Sequence, residues 1–137
     1  CLVGSEMCIR DSYTTHHFNM TILMISFGGA LGASSRYLIS SFLNNYSILS
    51  FSIGTLAVNI IGCFFIGFYI SETSEVISEN IKNFLIIGFL GSFTTFSAFT
   101  KESVELYQTF GMTNSFLYIL VNVLLCLSAT YLGYKIS

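Results

Sequence analysis

Gly88-Phe89-Leu90-Gly91-Ser92-Phe93-Thr94-Thr95-Phe96-Ser97-Ala98-Phe99 is the stretch whose reading decides this fold. It lies inside an apolar run from Phe84 to Thr100 and crowds two glycines, four hydroxyl residues and four phenylalanines together. A helix that merely faces lipid has no use for that mixture. The bilayer core supplies no water, so unwound backbone is tolerated there only where protein buries it or it lines a cavity. The sequence therefore predicts a membrane span that breaks near Gly91 to Thr94, with the break and the phenylalanines after it forming the working site.

Composition supports a membrane setting. The 137 residues are 53% hydrophobic and 9% charged, with a mean hydropathy of +0.75. A soluble single domain is not this apolar. A spanning helix needs about 20 mostly apolar residues. Four segments qualify: Ile22 to Leu43, Phe51 to Ile70, Phe84 to Thr100 and Ser115 to Tyr134. The expected architecture is an all-α membrane protein of four transmembrane helices, the third broken mid-membrane. The chain has no proline, so a break must come from glycine and hydroxyl residues. A net charge of −2 without a basic run leaves no nucleic-acid footprint.

Residues 1–19 differ from the rest. They hold Glu6, Arg10, Asp11, His16 and His17 and have no apolar period. We read Met20 as the natural start, residues 1–19 as a non-native or disordered leader, and 20–137 as the four-helix transmembrane domain. Asn44 to Ser50 and the acidic Ser71 to Asn83 read as polar connections, and Lys101 opens another that runs to Asn114. Cys1, Cys8, Cys63 and Cys126 have neither CxxC nor zinc spacing. Within the spans, Cys63 and Cys126 read as small apolar residues.

Polar residues inside the spans are the candidates for function. In the first span Gly28 and Gly32, and Gly29 and Ala33, stand four apart, a spacing that lets helix backbones approach closely. Arg36, further along, is either a cation that draws anions into a vestibule or a helix-end anchor. Asn59 in the second span either bonds a neighbouring helix or points its amide into a passage. Tyr118, Asn122, Cys126 and Thr130 recur every four residues and stack on one face, against either a partner helix or a watery track. Phe96 and Phe99 share a face too. They are ordinary packing or a pair of ring edges, whose partial positive charge suits an anion. Carbonyls freed at the break would suit a cation, and one held on a two-fold axis would need no carboxylate.

The spans carry no acid or histidine except at their edges, which argues against proton coupling, and no nucleophile–base pair suggests an enzyme. A four-span proton-coupled multidrug transporter would need a carboxylate between Ile22 and Leu43, where there is none. A non-transporting assembly subunit would explain the small residues but not polar ones in several spans. After the leader, Arg36, Lys82, Lys101 and Lys135 divide two against two between the sides, which permits insertion in both orientations.

Three blocks, in this order in a four-span chain, resemble the fluoride channel family (Fluc, also called CrcB): Gly28 to Tyr37, Gly54 to Gly62, and Gly88 to Phe99. The resemblance implies passive, fluoride-selective export across a bacterial-type plasma (inner) membrane by a dual-topology, antiparallel homodimer with a central sodium ion. It implies that Phe96 and Phe99 line the pores as ring edges and that Asn59 is a pore donor. Thr95 and Ser97 would belong to the polar lining, and Tyr118, Asn122 and Cys126 would face the pore from the fourth span. Arg36 would sit near the vestibule, and Gly91 and Thr94 would offer backbone carbonyls to sodium. The chain departs from the family pattern at Ser92, where glycine is common, at Ala98, where threonine is usual, and at Asn122 and Cys126, which are often serine.

Overall fold

The computed structural model describes residues 3–44, 52–71 and 78–136, with side chains from residue 19 onward. All the described structure is helical: α1 Val3–Asn44, α2 Ile53–Ser71, α3 Glu79–Lys82, a π-helical segment Asn83–Leu90, α4 Gly91–Phe93, α5 Phe96–Phe110 and α6 Met112–Ile136. Four stretches are long and apolar enough to cross a membrane: Asn19–Asn44, Ile53–Ser71, Glu79–Phe110 and Met112–Ile136. They answer the four expected spans. The side chains of 1–18, including His16, His17, Cys1 and Cys8, lie outside the described residues, as do residues 45–51 and 72–77 of the polar connections. Helix α1 runs without interruption from Val3 to Asn44.

Two boundaries differ from expectation. The third span was expected to end at Thr100 and give way to a polar stretch, yet α5 runs on to Phe110. The reason is amphipathicity. Phe99, Ser103 and Leu106 face inward and are buried, at the three- and four-residue spacing of one helical face. Lys101 and Glu105 face outward and pair at 3.3 Å across one turn. Charges on one stripe do not end a helix whose other stripe is buried. Gly111, at φ 83, closes α5 in a backbone conformation that glycine alone adopts freely. The second difference is the π-helical geometry over Asn83–Leu90, which the apolar pattern does not announce.

Glycines set how the helices pack. A Cβ on Gly28 would strike the carbonyl of Phe84, and one on Gly32 the carbonyl of Phe89, so α1 lies backbone to backbone with the π-helical segment. The four-residue spacing read from the sequence does this work. On the opposite side, a Cβ on Gly67 would strike the Thr130 carbonyl and one on Gly133 the Phe64 carbonyl. Helices α2 and α6 are therefore in close contact, position 67 beside 130. The start of α2 is tied to the end of α1, because Gly54 N donates to Asn44 Oδ1 at 2.9 Å. That bond serves one of the backbone donors every helix leaves open at its N-terminus.

Replacing Gly67 by valine forces α2 and α6 apart and is expected to cost about 1–3 kcal/mol or more, with alanine milder. Thermal unfolding of the purified protein in detergent checks the order glycine, alanine, valine.

Candidate functional site

The third span is continuous to Phe93. Thr94 N still donates to Leu90 O at 3.1 Å, the last bond of that helix. The next two residues are extended: Thr94 has φ −78 and ψ 153, and Thr95 has φ −148 and ψ 116. Helix resumes at Phe96, with the Thr95 hydroxyl accepting from Ala98 N at 3.2 Å as an N-terminal cap. The hydroxyls of Thr95 and Ser97 also lie 3.2 Å apart, within hydrogen-bond reach.

Asn59 holds this geometry. Its Oδ1 accepts from Thr95 N at 2.8 Å, and its Nδ2 donates to Thr95 O at 3.3 Å. One amide side chain thus serves both backbone groups of an extended residue. The neighbouring Gly62 leaves the space that the Thr94 methyl fills. A further consequence concerns two carbonyls. In an uninterrupted helix the Gly91 carbonyl would accept from Thr95 N and the Thr94 carbonyl from Ala98 N. The first N–H goes to Asn59 and the second to the Thr95 hydroxyl. Gly91 and Thr94, whose carbonyls the family resemblance put forward, are two of the residues whose helical donors are diverted.

A cavity of about 290 Å³ opens beside the interruption. Asn59 and Cys63 of α2, Thr94 and Thr95, Phe96 and Phe99 of α5, and Asn122 and Cys126 of α6 line it. The Phe96 and Phe99 rings lie 5.4 Å apart, tilted by 51°. Phe99 is 7% exposed and packs against Tyr118, whereas Phe96 is 75% exposed on the single chain. The stripe on α6 divides its duties. Thr130 faces Gly67 of the partner helix. Asn122 and Cys126 line the cavity, and the Cys126 thiol donates to Asn122 Oδ1 at 3.7 Å. Asn122 is 4% exposed. Its Nδ2 is buried and has no hydrogen-bond partner among the described residues. Arg36 stands apart: it is half-buried on α1 and does not line the cavity.

Two participants were missed in the sequence. Thr55 Oγ1 donates to Glu102 Oε1 at 2.6 Å, and Tyr118 OH donates to Glu102 Oε2 at 2.7 Å. Both donors are buried, Tyr118 to 1% exposure. Glu102 had been read as the start of a polar connection. It sits instead one turn after Phe99 on α5, held between α2 and α6. The signal was available in its three-residue distance from Phe99, which places both on one face.

The cavity thus combines neutral amide and hydroxyl groups with aromatic rings, and among the described residues it contains no acid or base. Sequence comparison agrees on the ancestry. The model of the CrcB-like protein family, described as Camphor Resistance (CrcB), matches residues 23–134. The chain belongs to the CrcB family. Among its CrcB relatives, the fluoride-specific ion channel FluC of Campylobacter fetus is 50% identical over 118 residues, covering 85% of this chain and 92% of that protein. Fluoride-specific ion channel FluC 1 of Methanosarcina acetivorans is 44% identical over 119 residues, 85% of this chain and 89% of its own. The FluC of Campylobacter jejuni strain 81-176 is 41% identical over 117 residues, 85% and 96% respectively. The match takes in every span of this CrcB chain and the whole of the cavity wall.

Asn59→Ala orphans the N–H and the carbonyl of Thr95, and each buried unpaired group costs about 1–3 kcal/mol. Asn59→Asp keeps the acceptor for the N–H and removes the donor, so its loss is expected to be smaller. Unfolding midpoints of the purified variants in detergent test that ranking.

Proposed function

We propose that this chain is a fluoride-selective channel, not an enzyme, that lowers cytoplasmic fluoride by passive export across the plasma (inner) membrane. The observation that carries the reading is the wall of the cavity: a buried Asn122 amide donor facing the Phe96 and Phe99 rings across the Asn59–Thr95 brace. Fluoride is small, strongly hydrated and a strong hydrogen-bond acceptor. To leave water it needs donors along its path. Amide and hydroxyl groups supply them without the deep trap that a lysine or arginine in the passage would set, and conduction requires that an ion can also leave. Ring edges add weak positive potential where no hydrogen-bond donor is available. The residues assigned to the pore are Asn59, Thr95, Phe96, Ser97, Phe99, Tyr118, Asn122 and Cys126, with Arg36 nearer the vestibule. Glu102, held by Thr55 and Tyr118, marks one end of the path. Its negative charge keeps that end from retaining the anion.

The working form in this reading is an antiparallel, dual-topology homodimer with the third helix broken at mid-membrane. Support comes from the large ring of Phe96, which a single chain leaves bare, and from the balanced placement of basic residues. A sodium ion is the group this arrangement would hold. The donor chemistry fits: the Gly91 and Thr94 carbonyls are hard oxygen ligands whose helical donors are diverted. Two copies would double the set around a two-fold axis. Bound there, sodium supplies positive charge that ties the two broken helices together, while anion passage is left to the side chains above.

Purified protein in liposomes is expected to release fluoride and retain chloride when ion-selective electrodes follow both. Phe96→Ile removes a ring edge and is expected to lower fluoride flux by about tenfold or more, as the loss of about 1.4 kcal/mol of stabilisation would. Equal release of chloride by the parent would overturn the reading. Unaltered flux in the variant would overturn the assignment of Phe96.

A further inference from the structure

The cavity wall holds a pair of thiols, Cys126 of the proposed pore lining and Cys63, whose metal-binding chemistry anion passage does not call on. Cys63 of α2 and Cys126 of α6 are both free thiols, both half-buried, and both line the same space. Their helices are in fixed register. Asn59 and Asn122 face the cavity together, Gly67 abuts Thr130, and Cys63 and Cys126 lie one turn from each of those pairs. The close backbone approach that Gly67 permits holds the two helices together at that level.

We propose that Cys63 and Cys126 form a two-sulfur site for a thiophilic, two-coordinate metal cation, and that a metal held there closes the passage. The chemistry selects the class of ligand. Zinc seeks four ligands, and no group of three or more histidine, cysteine or acidic residues suited to a metal occurs among the described residues. Soft cations take thiolates in preference to the oxygens of Asn59 and Asn122. A divalent soft cation such as Hg(II) fits the low-dielectric wall best. Each thiol gives up its proton to water, two S–H bonds break, two metal–sulfur bonds form, and no oxidation state changes. The product carries no net charge, so no isolated charge is left buried in the membrane. Two thiols presented together hold the ion far better than one. An effective concentration in the millimolar range is worth about 10²–10⁴-fold over a single contact. The seat lies on the cavity wall that also carries Asn122, Phe96 and Phe99, where an occupant obstructs the path.

Metal binding at these thiols stands independently of what the chain transports; closure of the passage rests on the fluoride-channel reading. The experiment separates them. The full chain carrying Cys1→Ser and Cys8→Ser is purified in detergent, loaded with mercuric chloride, washed with excess 2-mercaptoethanol and assayed for bound mercury by mass spectrometry. A single mercury ion per chain is expected to survive the wash, and none in Cys63→Ala or Cys126→Ala. Cys63→Ser serves as a second variant, and each preparation must elute as a single species. Retention of as much metal by a single-cysteine variant as by the parent, or none by the parent, overturns the site. In liposomes, mercury is expected to cut parental fluoride flux by about tenfold or more while the treated-to-untreated ratio of Cys63→Ala stays near unity. Undiminished flux from metal-loaded parent overturns the closure. Absence of fluoride flux before any metal is added overturns the channel reading, and the retention assay then decides the thiol site by itself.

Discussion

A bidentate contact between the Asn59 side chain and the backbone of Thr95 underlies the rest of this molecule. Water is absent from the bilayer core, so an extended residue there must find a donor and an acceptor within the protein. A primary amide is the smallest neutral side chain that offers both, spaced as another peptide group would offer them. A serine or threonine could rotate to satisfy one group at a time, and a carboxylate could accept but not donate. With Thr95 held this way, its hydroxyl is available to cap α5, and the helical donors of the Gly91 and Thr94 carbonyls are diverted. The break is thus a set of linked hydrogen bonds rather than a region of weak structure.

Close packing makes that contact possible. Gly62 clears space for the Thr94 methyl beside Asn59, and Gly67 and Gly133 bring α6 against α2. Glycine on a lipid-embedded helix surrenders side-chain burial for approach distance, and dispersion between backbones repays it only along well-matched surfaces. Two helices drawn together by their glycines still diverge where larger polar residues replace them. Along α2 and α6 the seam is tight at Gly67 and Thr130 and opens into the cavity at Asn59 and Asn122. The cavity is therefore a product of where the small residues stop.

Much of this was legible in the chain. The four spans follow from hydropathy, and the close approach of α1 to its neighbour from the four-residue spacing of Gly28 and Gly32. The two readings left open for the α6 stripe turned out to apply to different residues: Thr130 meets a helix, while Asn122 and Cys126 meet a cavity. What escaped was tertiary or averaged away. Glu102 was hidden because Lys101 and Glu105 beside it read as the end of a span, although only one face of α5 is charged. Its partners Thr55 and Tyr118 lie 47 and 16 residues away in the chain, beyond the reach of local pattern. The π-helical turn over Asn83–Leu90 coincides with the stretch whose backbone Gly28 and Gly32 of α1 admit. A register set by a neighbouring helix leaves no periodic mark in its own sequence.

The arrangement of donors bears on how a passage can be selective and fast at once. A fixed cation would bind fluoride tightly and hold it, since attraction between unit charges at low dielectric runs to several kcal/mol or more. Neutral donors spaced along a wall divide that attraction into smaller steps, each left as the next is reached. Selectivity then comes from what each donor must replace. A strong acceptor regains from amides and hydroxyls much of what it loses from water, whereas a larger, weakly accepting halide regains less. The carboxylate of Glu102 completes the logic. With both oxygens already accepting hydrogen bonds, it adds negative charge at one end of the path without offering an anion a donor. On the proposed reading it shortens the stay of fluoride beside Tyr118, and so trades affinity for rate in the one place where burial would otherwise make affinity excessive.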